Sequence, residues 1–165
     1  MTDIKEILTV RFSKLGKHFT AFKDYHNLIV MMEKSDDIYD ESVYQELKTV
    51  DKAVFDAYLK RFSSIQDYLG TKIFPVLVEL TGSSTTKMSE ILLQMEKEEI
   101  IESFESWIEL RERRNALEHE YPDELKEALE DLKKCVNSYS IFESCYIKSV
   151  DFIKKIYKDF DYEIN

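Results

Sequence analysis

The sequence predicts an all-α protein, an antiparallel helical bundle of four to five helices folded as one domain over residues 1–165. Three observations carry this expectation. The chain has three glycines and two prolines, too few for the turns of a β-sandwich or for a disordered chain. Good helix formers such as Leu, Lys, Glu, Ala, Met and Gln dominate between them. Apolar side chains recur at helical steps of three and four. The 165 residues suffice for one real core but not two, and neither a repeat nor a linker divides them.

Each element has its own signal. Ile4, Leu8, Phe12, Leu15, Phe19, Phe22 and Ile29 mark a first helix from about residue 3 to 33, which Gly16 weakens but need not break. The run from Ser35 to Ser42 has the polar character of a connection or cap. A second long pattern runs from Val50 through Phe55, Tyr58, Phe62, Ile65 and Leu69 to Leu80, and Pro75 should kink or divide it. Thr81-Gly82-Ser83-Ser84-Thr85-Thr86 is the clearest break, with glycine suited to a helix C′ position and hydroxyls to the next N-cap. A short helix over about 87–98 leads to a fourth at about 101–120. Pro122, taken as the first helical position with Asp123 and Glu124 behind it, starts a last helix running to about Lys158.

Charge excludes some functions. A net charge of −10 repels phosphate backbones, so the chain is no general nucleic-acid coat protein. Contact with RNA or DNA needs a local basic cluster, for which Arg111, Arg113 and Arg114 are the candidates. Cys135 and Cys145 stand ten positions apart in what reads as one helix, roughly 15 Å, too far for a mutual disulfide. Reduced, buried thiols are expected. Met1 to Glu6 carries no signal-peptide hydrophobic region, and no apolar run approaches membrane-spanning length. The expectation is a soluble cytoplasmic protein with no membrane contact. His18, His26 and His119 share no ligand spacing with the cysteines, so neither a metal site nor a cofactor is expected.

The segment from Arg111 to Pro122 is where chemistry concentrates. Phe104, Trp107, Leu110, Arg114, Leu117 and Tyr121 recur at the spacing of a single packing stripe. Arg114 therefore stands where the pattern calls for an apolar residue, and burying its permanent charge is costly unless an anion or a set of acceptors meets it. Arg111, Asn115, Glu118 and His119 fall on the flank of the stripe, while Glu105, Glu109, Glu112, Arg113 and Glu120 spread over the opposite side. Pro122 disfavours the α conformation at Tyr121, so the chain should leave the helix as it presents the tyrosine. Arg114, His119 and Tyr121 would then converge near a helix end, a set suited to phosphate chemistry. Imidazole exchanges protons near neutral pH, and guanidinium stabilises charge on phosphorus. A bland reading stays open, in which Arg114 pairs with an acid on a neighbouring helix and His119 makes local hydrogen bonds.

Arg114-Asn115-Ala116-Leu117-Glu118-His119-Glu120-Tyr121 resembles the R-x4-H-x-Y motif of HEPN proteins, in particular the HepT-type toxins of HepT/MntA toxin–antitoxin pairs. The run from Tyr58 to Leu69 looks like the aromatic-rich second helix of such proteins. The resemblance covers most of the chain and implies a HEPN-like bundle with metal-independent ribonuclease activity, two motifs facing each other across a homodimer cleft. It implies that Arg114 holds the scissile phosphate, that His119 acts as general base or acid, and that Asn115 orients the histidine or binds the RNA backbone. Cleavage through the 2′-OH would leave a 2′,3′-cyclic phosphate. Tyr121 matches the position that a partner nucleotidyltransferase antitoxin, MntA-like, modifies with AMP to block RNA entry. Arg111 is a further candidate for substrate contact, and Arg61 and Asp67 are placed at the cleft as helical neighbours. An unpaired Arg114 on a packing stripe fits a residue reserved for a dimer cleft. Some proteins with this resemblance serve instead as noncatalytic partners or nucleotide-binding subunits of a nucleotidyltransferase, and that alternative stays open.

Overall fold

A computed structural model describes residues 3–120 and 124–165, the side chains of His119 and Glu120 excepted, and every regular element among them is helical. The first helix, α1 (Ile4–Ser35), starts on Asp3, whose carboxylate accepts from the Lys5 amide. The polar stretch after it holds one extra turn, α2 (Glu41–Gln45), which Asp40 caps by accepting from the amides of Ser42 and Val43. No sequence periodicity announces so short a piece.

The second long pattern is continuous but not uniform. α3 (Thr49–Tyr68) passes through a π turn (Leu69–Ile73) into α4 (Phe74–Leu80), with Pro75 in the first turn of α4. Proline lacks a donor and clashes with the carbonyl four residues back. The wider turn accommodates both defects, and the Phe74 amide reaches the Leu69 carbonyl, five residues back. Gly82, at φ 88°, follows the Thr81 C-cap and ends α4 as its residue type suggests. Next come α5 (Met88–Lys97) and α6 (Phe104–Glu120).

The expected last helix is instead two, α7 (Leu125–Asn137) and α8 (Tyr139–Ile156). Glu124 is not helical and α7 starts at Leu125, while Pro122, the expected first helical position, lies outside the described residues. The break falls at Ser138, whose hydroxyl donates to the Lys134 carbonyl at 2.6 Å and so competes with the helical ladder. A buried tyrosine from α3 takes up the freed end of α7, since Tyr58 Oη donates to the Cys135 carbonyl at 2.8 Å. With α3, the π turn and α4 counted as one rod, the bundle has six substantial helices among the described residues, one more than expected.

Side-chain register fixes the directions. Arg11, His18 and Phe22 of α1 meet Lys72, Arg61 and Tyr58 along the α3 rod in descending order, so the two are antiparallel. Phe19, Phe22 and His26 meet Tyr146, Phe142 and Tyr139 of α8 in the same sense. Gln66 donates to the Trp107 carbonyl while Ser63 reaches Glu118, which sets α6 antiparallel to α3. The core where these rods meet is aromatic: Phe22, Tyr58, Phe62, Phe74, Trp107 and Phe142 are buried and joined by edge and stacked contacts. Cys135 and Cys145 are free and buried, and burial pushes each thiol up to about 12. No helix among the described residues is long and apolar enough to cross a membrane.

Candidate functional site

The stripe on α6 falls where its spacing places it. Trp107, Leu110, Arg114 and Leu117 are all buried, and Arg114 is only 6% exposed. Its guanidinium is nonetheless met within the chain. Nη1 lies 3.3 Å from Asp67 Oδ1 and 3.5 Å from the Ser63 carbonyl, both on α3, while Nε and Nη2 donate to Asn115 Oδ1 at 3.3 and 3.1 Å. The expectation of an unpaired arginine held for a dimer cleft is therefore corrected. Antiparallel packing of α3 on α6 brings Asp67 opposite Arg114, and helical spacing alone cannot reveal a partner 47 positions away in sequence.

Beside this cluster an open groove of about 460 Å³ runs between α3 and α6, lined by Asp56, Lys60, Ser63, Ser64, Asp67 and Glu118 among others. Ser63 Oγ donates to Glu118 at 3.3 Å across its wall. Nothing in the residue pattern singled out Ser63, because a serine one turn before Asp67 is an ordinary surface feature of a helix. Three carboxylates stand here against Lys60 and Arg114, so an incoming phosphate must displace Asp67 from Arg114. That exchange is chemically reasonable: Asp67 is 59% exposed and holds Arg114 by a single long contact rather than a fork.

The other candidates divide. Asn115 lies one turn before His119 on α6, and its carboxamide oxygen is engaged by Arg114, leaving its NH₂ group to donate. Arg111 is exposed. Arg113 does not face away as expected. It bridges α6 and α7, with Nη2 on Glu109 and Nη1 on Asp131, each at 2.6 Å. The Arg113 hydrogen bond holds the Glu109 carboxyl below its usual range. Arg61 is not in the groove either; it faces α1 and donates to His18 Nδ1 at 3.0 Å. His119 belongs to the last turn of α6 by its backbone. Its side chain, like Tyr121 and Pro122 and the expected helix exit, lies outside the described residues.

No group of three or more His, Cys, Asp and Glu side chains is arranged to hold a metal among the described residues. What remains is a charge-bearing notch: a desolvated guanidinium, a carboxamide, and an exchangeable carboxylate, open to solvent along one groove. Compared with protein-family models, curated proteins and solved structures, the chain finds no significant match in any of the three.

Proposed function

We propose that the chain is a metal-independent RNA endonuclease, the toxin of a HEPN-type pair whose nucleotidyltransferase antitoxin silences it by adding AMP to Tyr121. The observation that carries this reading is the state of Arg114. It is buried beside an open groove, on the same helix as His119, and holds only one exposed, weakly bound carboxylate. A guanidinium held this way is prepared for a phosphate that replaces Asp67. In the proposed reaction His119 removes the 2′-OH proton or protonates the leaving 5′-oxygen. The 2′-oxygen attacks phosphorus, the bond to the 5′-oxygen breaks, and Arg114 stabilises the charge on the phosphoryl oxygens. Asn115 anchors the guanidinium and donates to substrate from its free NH₂. Two copies related by a twofold axis would bring two such motifs to one cleft.

The test is cleavage of RNA by purified protein in EDTA, with the 2′,3′-cyclic phosphate identified on the product. Activity must vanish in His119→Ala, and EDTA-resistant cleavage by that variant at the parent rate sinks the proposal.

One observation favours a second reading. Asn115, Ser63 and Asp67 already satisfy Arg114 inside the chain, as a structural residue in a noncatalytic nucleotidyltransferase partner would be. A folded parent protein that binds such a partner but leaves RNA intact would select it.

A further inference from the structure

The arginine run of α6 supplies little free basic surface. Arg113 is taken by Glu109 and Asp131, and Arg114 faces Asp67. Positive charge is free elsewhere. From Ile7 to Lys23 the chain carries Arg11, Lys14, Lys17 and Lys23 and no carboxylate, in a protein of net charge −10. From Ala57 to Val78 it carries Lys60, Arg61 and Lys72 against a single carboxylate, Asp67, which is turned to Arg114.

Antiparallel packing lays these two stretches side by side. Arg11 Nη1 donates to the Lys72 carbonyl at 2.7 Å, and Arg61 meets His18 about two turns further along α1. At about 100° per residue, Arg11, Lys14 and His18 share one edge of α1. The His18 ring sits 6.4 Å from that of Tyr68. Among the described residues, none of Arg11, Lys14, Arg61 or Lys72 forms an ion pair. Lys14 and Lys72 are exposed.

We propose that this α1–α3 seam binds single-stranded RNA through its phosphates and leads the strand across α3 to the Arg114 groove, an inference that rests on the RNA-cleaving reading. Charge complementarity selects an anionic occupant, and the side chains narrow its class. Guanidinium, imidazole and phenol present flat faces on which bases stack, between lysines that meet phosphates. A membrane-facing edge would instead carry aliphatic side chains between its cations. The groove begins one residue away on α3, where Lys60 and Ser64 flank Arg61 by one and three positions. A basic approach surface also answers how a protein this acidic could hold RNA at all.

The test measures anisotropy of a fluorescent 2′-O-methyl RNA strand, which cannot be cut through its 2′-oxygen, against salt. The parent should bind with affinity that falls as salt rises. Lys14→Glu/Lys72→Glu should weaken binding by more than about tenfold and lower the logarithmic salt slope by about 1.4, two contacts at about 0.7 each. Lys148→Glu, exposed on α8 and outside both the seam and the groove, should change affinity by less than about twofold. Equal affinity in the double variant overturns the inference, as does a larger loss in Lys148→Glu. It is also overturned if poly-glutamate competes as well as RNA, or if phosphatidylserine vesicles but not RNA are bound. Should the double variant lose its helical circular dichroism, Lys14→Glu alone and its salt slope decide. Normal RNA cleavage by the seam variants overturns this inference and leaves the proposed activity standing. Seam-dependent binding without cleavage of ordinary RNA does the reverse.

Discussion

Arg114 on α6 and Asp67 on α3 meet at 3.3 Å as an unequal pair, the arginine side chain 7% exposed and the carboxylate 59%. One long ionic contact to a wet partner, with neutral acceptors at Asn115 and Ser63, only partly offsets the desolvation of a guanidinium. Replacing Arg114 with an apolar residue of similar length should therefore cost the fold little. We predict that Arg114→Met unfolds at the parent denaturant midpoint or above it, gaining as much as about 1 kcal/mol, while RNA cleavage is lost. Urea titration beside a cleavage assay checks both. Destabilisation beyond about 2 kcal/mol would mark Arg114 as a structural residue instead.

Tyr121 lies two positions after His119, so under the proposed function an adenylyl group on it would crowd the site and add negative charge where a phosphate is proposed to bind. Co-expression with a HepT-type nucleotidyltransferase should therefore add the mass of AMP and suppress cleavage together. Tyr121→Phe should abolish the mass shift and leave cleavage resistant to the partner. A shift that persists in that variant places the modification elsewhere.

The all-helical class, the Gly82 terminator and the phase of the Trp107–Leu117 stripe were legible because each follows from local pattern. What was not legible depends on partners distant in sequence. Asp67 as the companion of Arg114, Asp131 as that of Arg113, and Tyr58 as the cap that lets α7 end at Asn137 all arise only once helices pack. Within the candidate site, the position of Arg114 on a buried stripe could be read from spacing, but the carboxylate that meets it could not.

α5 ends within a residue of where its apolar pattern stops, although no glycine marks the end. Glu99 takes a left-handed φ of 60°, and the Ile100 amide returns to the Met95 carbonyl at 2.9 Å, closing the helix as a glycine normally would. A side chain pays a steric penalty in that conformation that glycine avoids, partly offset by the greater freedom of glycine in the unfolded chain. Glu99→Gly should accordingly raise stability by about 0.5–1 kcal/mol, read as a higher melting temperature. Unchanged or lower melting would mean that the turn imposes no strain.

Gly16 poses the reverse case. Glycine inside a helix ordinarily costs up to about 1 kcal/mol against alanine, yet an added Cβ would stand 3.0 Å from Tyr146 Oη and 3.2 Å from Tyr162 Oη. Tyr162 Oη donates to the Phe12 carbonyl at 2.9 Å and Tyr146 Oη lies within hydrogen-bond reach of both, so neither ring moves freely. Gly16→Ala should thus lower the melting temperature despite its better propensity. Tyr162→Phe removes one of the two opposing oxygens, so the alanine should be less damaging in that background. Equal damage in both backgrounds would show that Tyr162 is not the obstacle.

His18 gives the fold a dependence on pH. Its Nδ1 accepts from Arg61, which requires that nitrogen to be unprotonated. Burial first, and the Arg61 charge second, lower its pKa from the ordinary 6.5; burial lowers that of His26 as well, against opposing Glu33 and Glu143. A group with a depressed folded pKa contributes stability that is complete above the unfolded value and lost as pH falls through the folded one. The melting temperature should therefore drop on acidification from about pH 7.5 to 5.5, above the range in which ordinary carboxylates titrate. His18→Gln retains an acceptor for Arg61 but has no proton to gain, so its melting temperature should vary less over that interval. A variant that follows the parent throughout would assign the pH response to other groups.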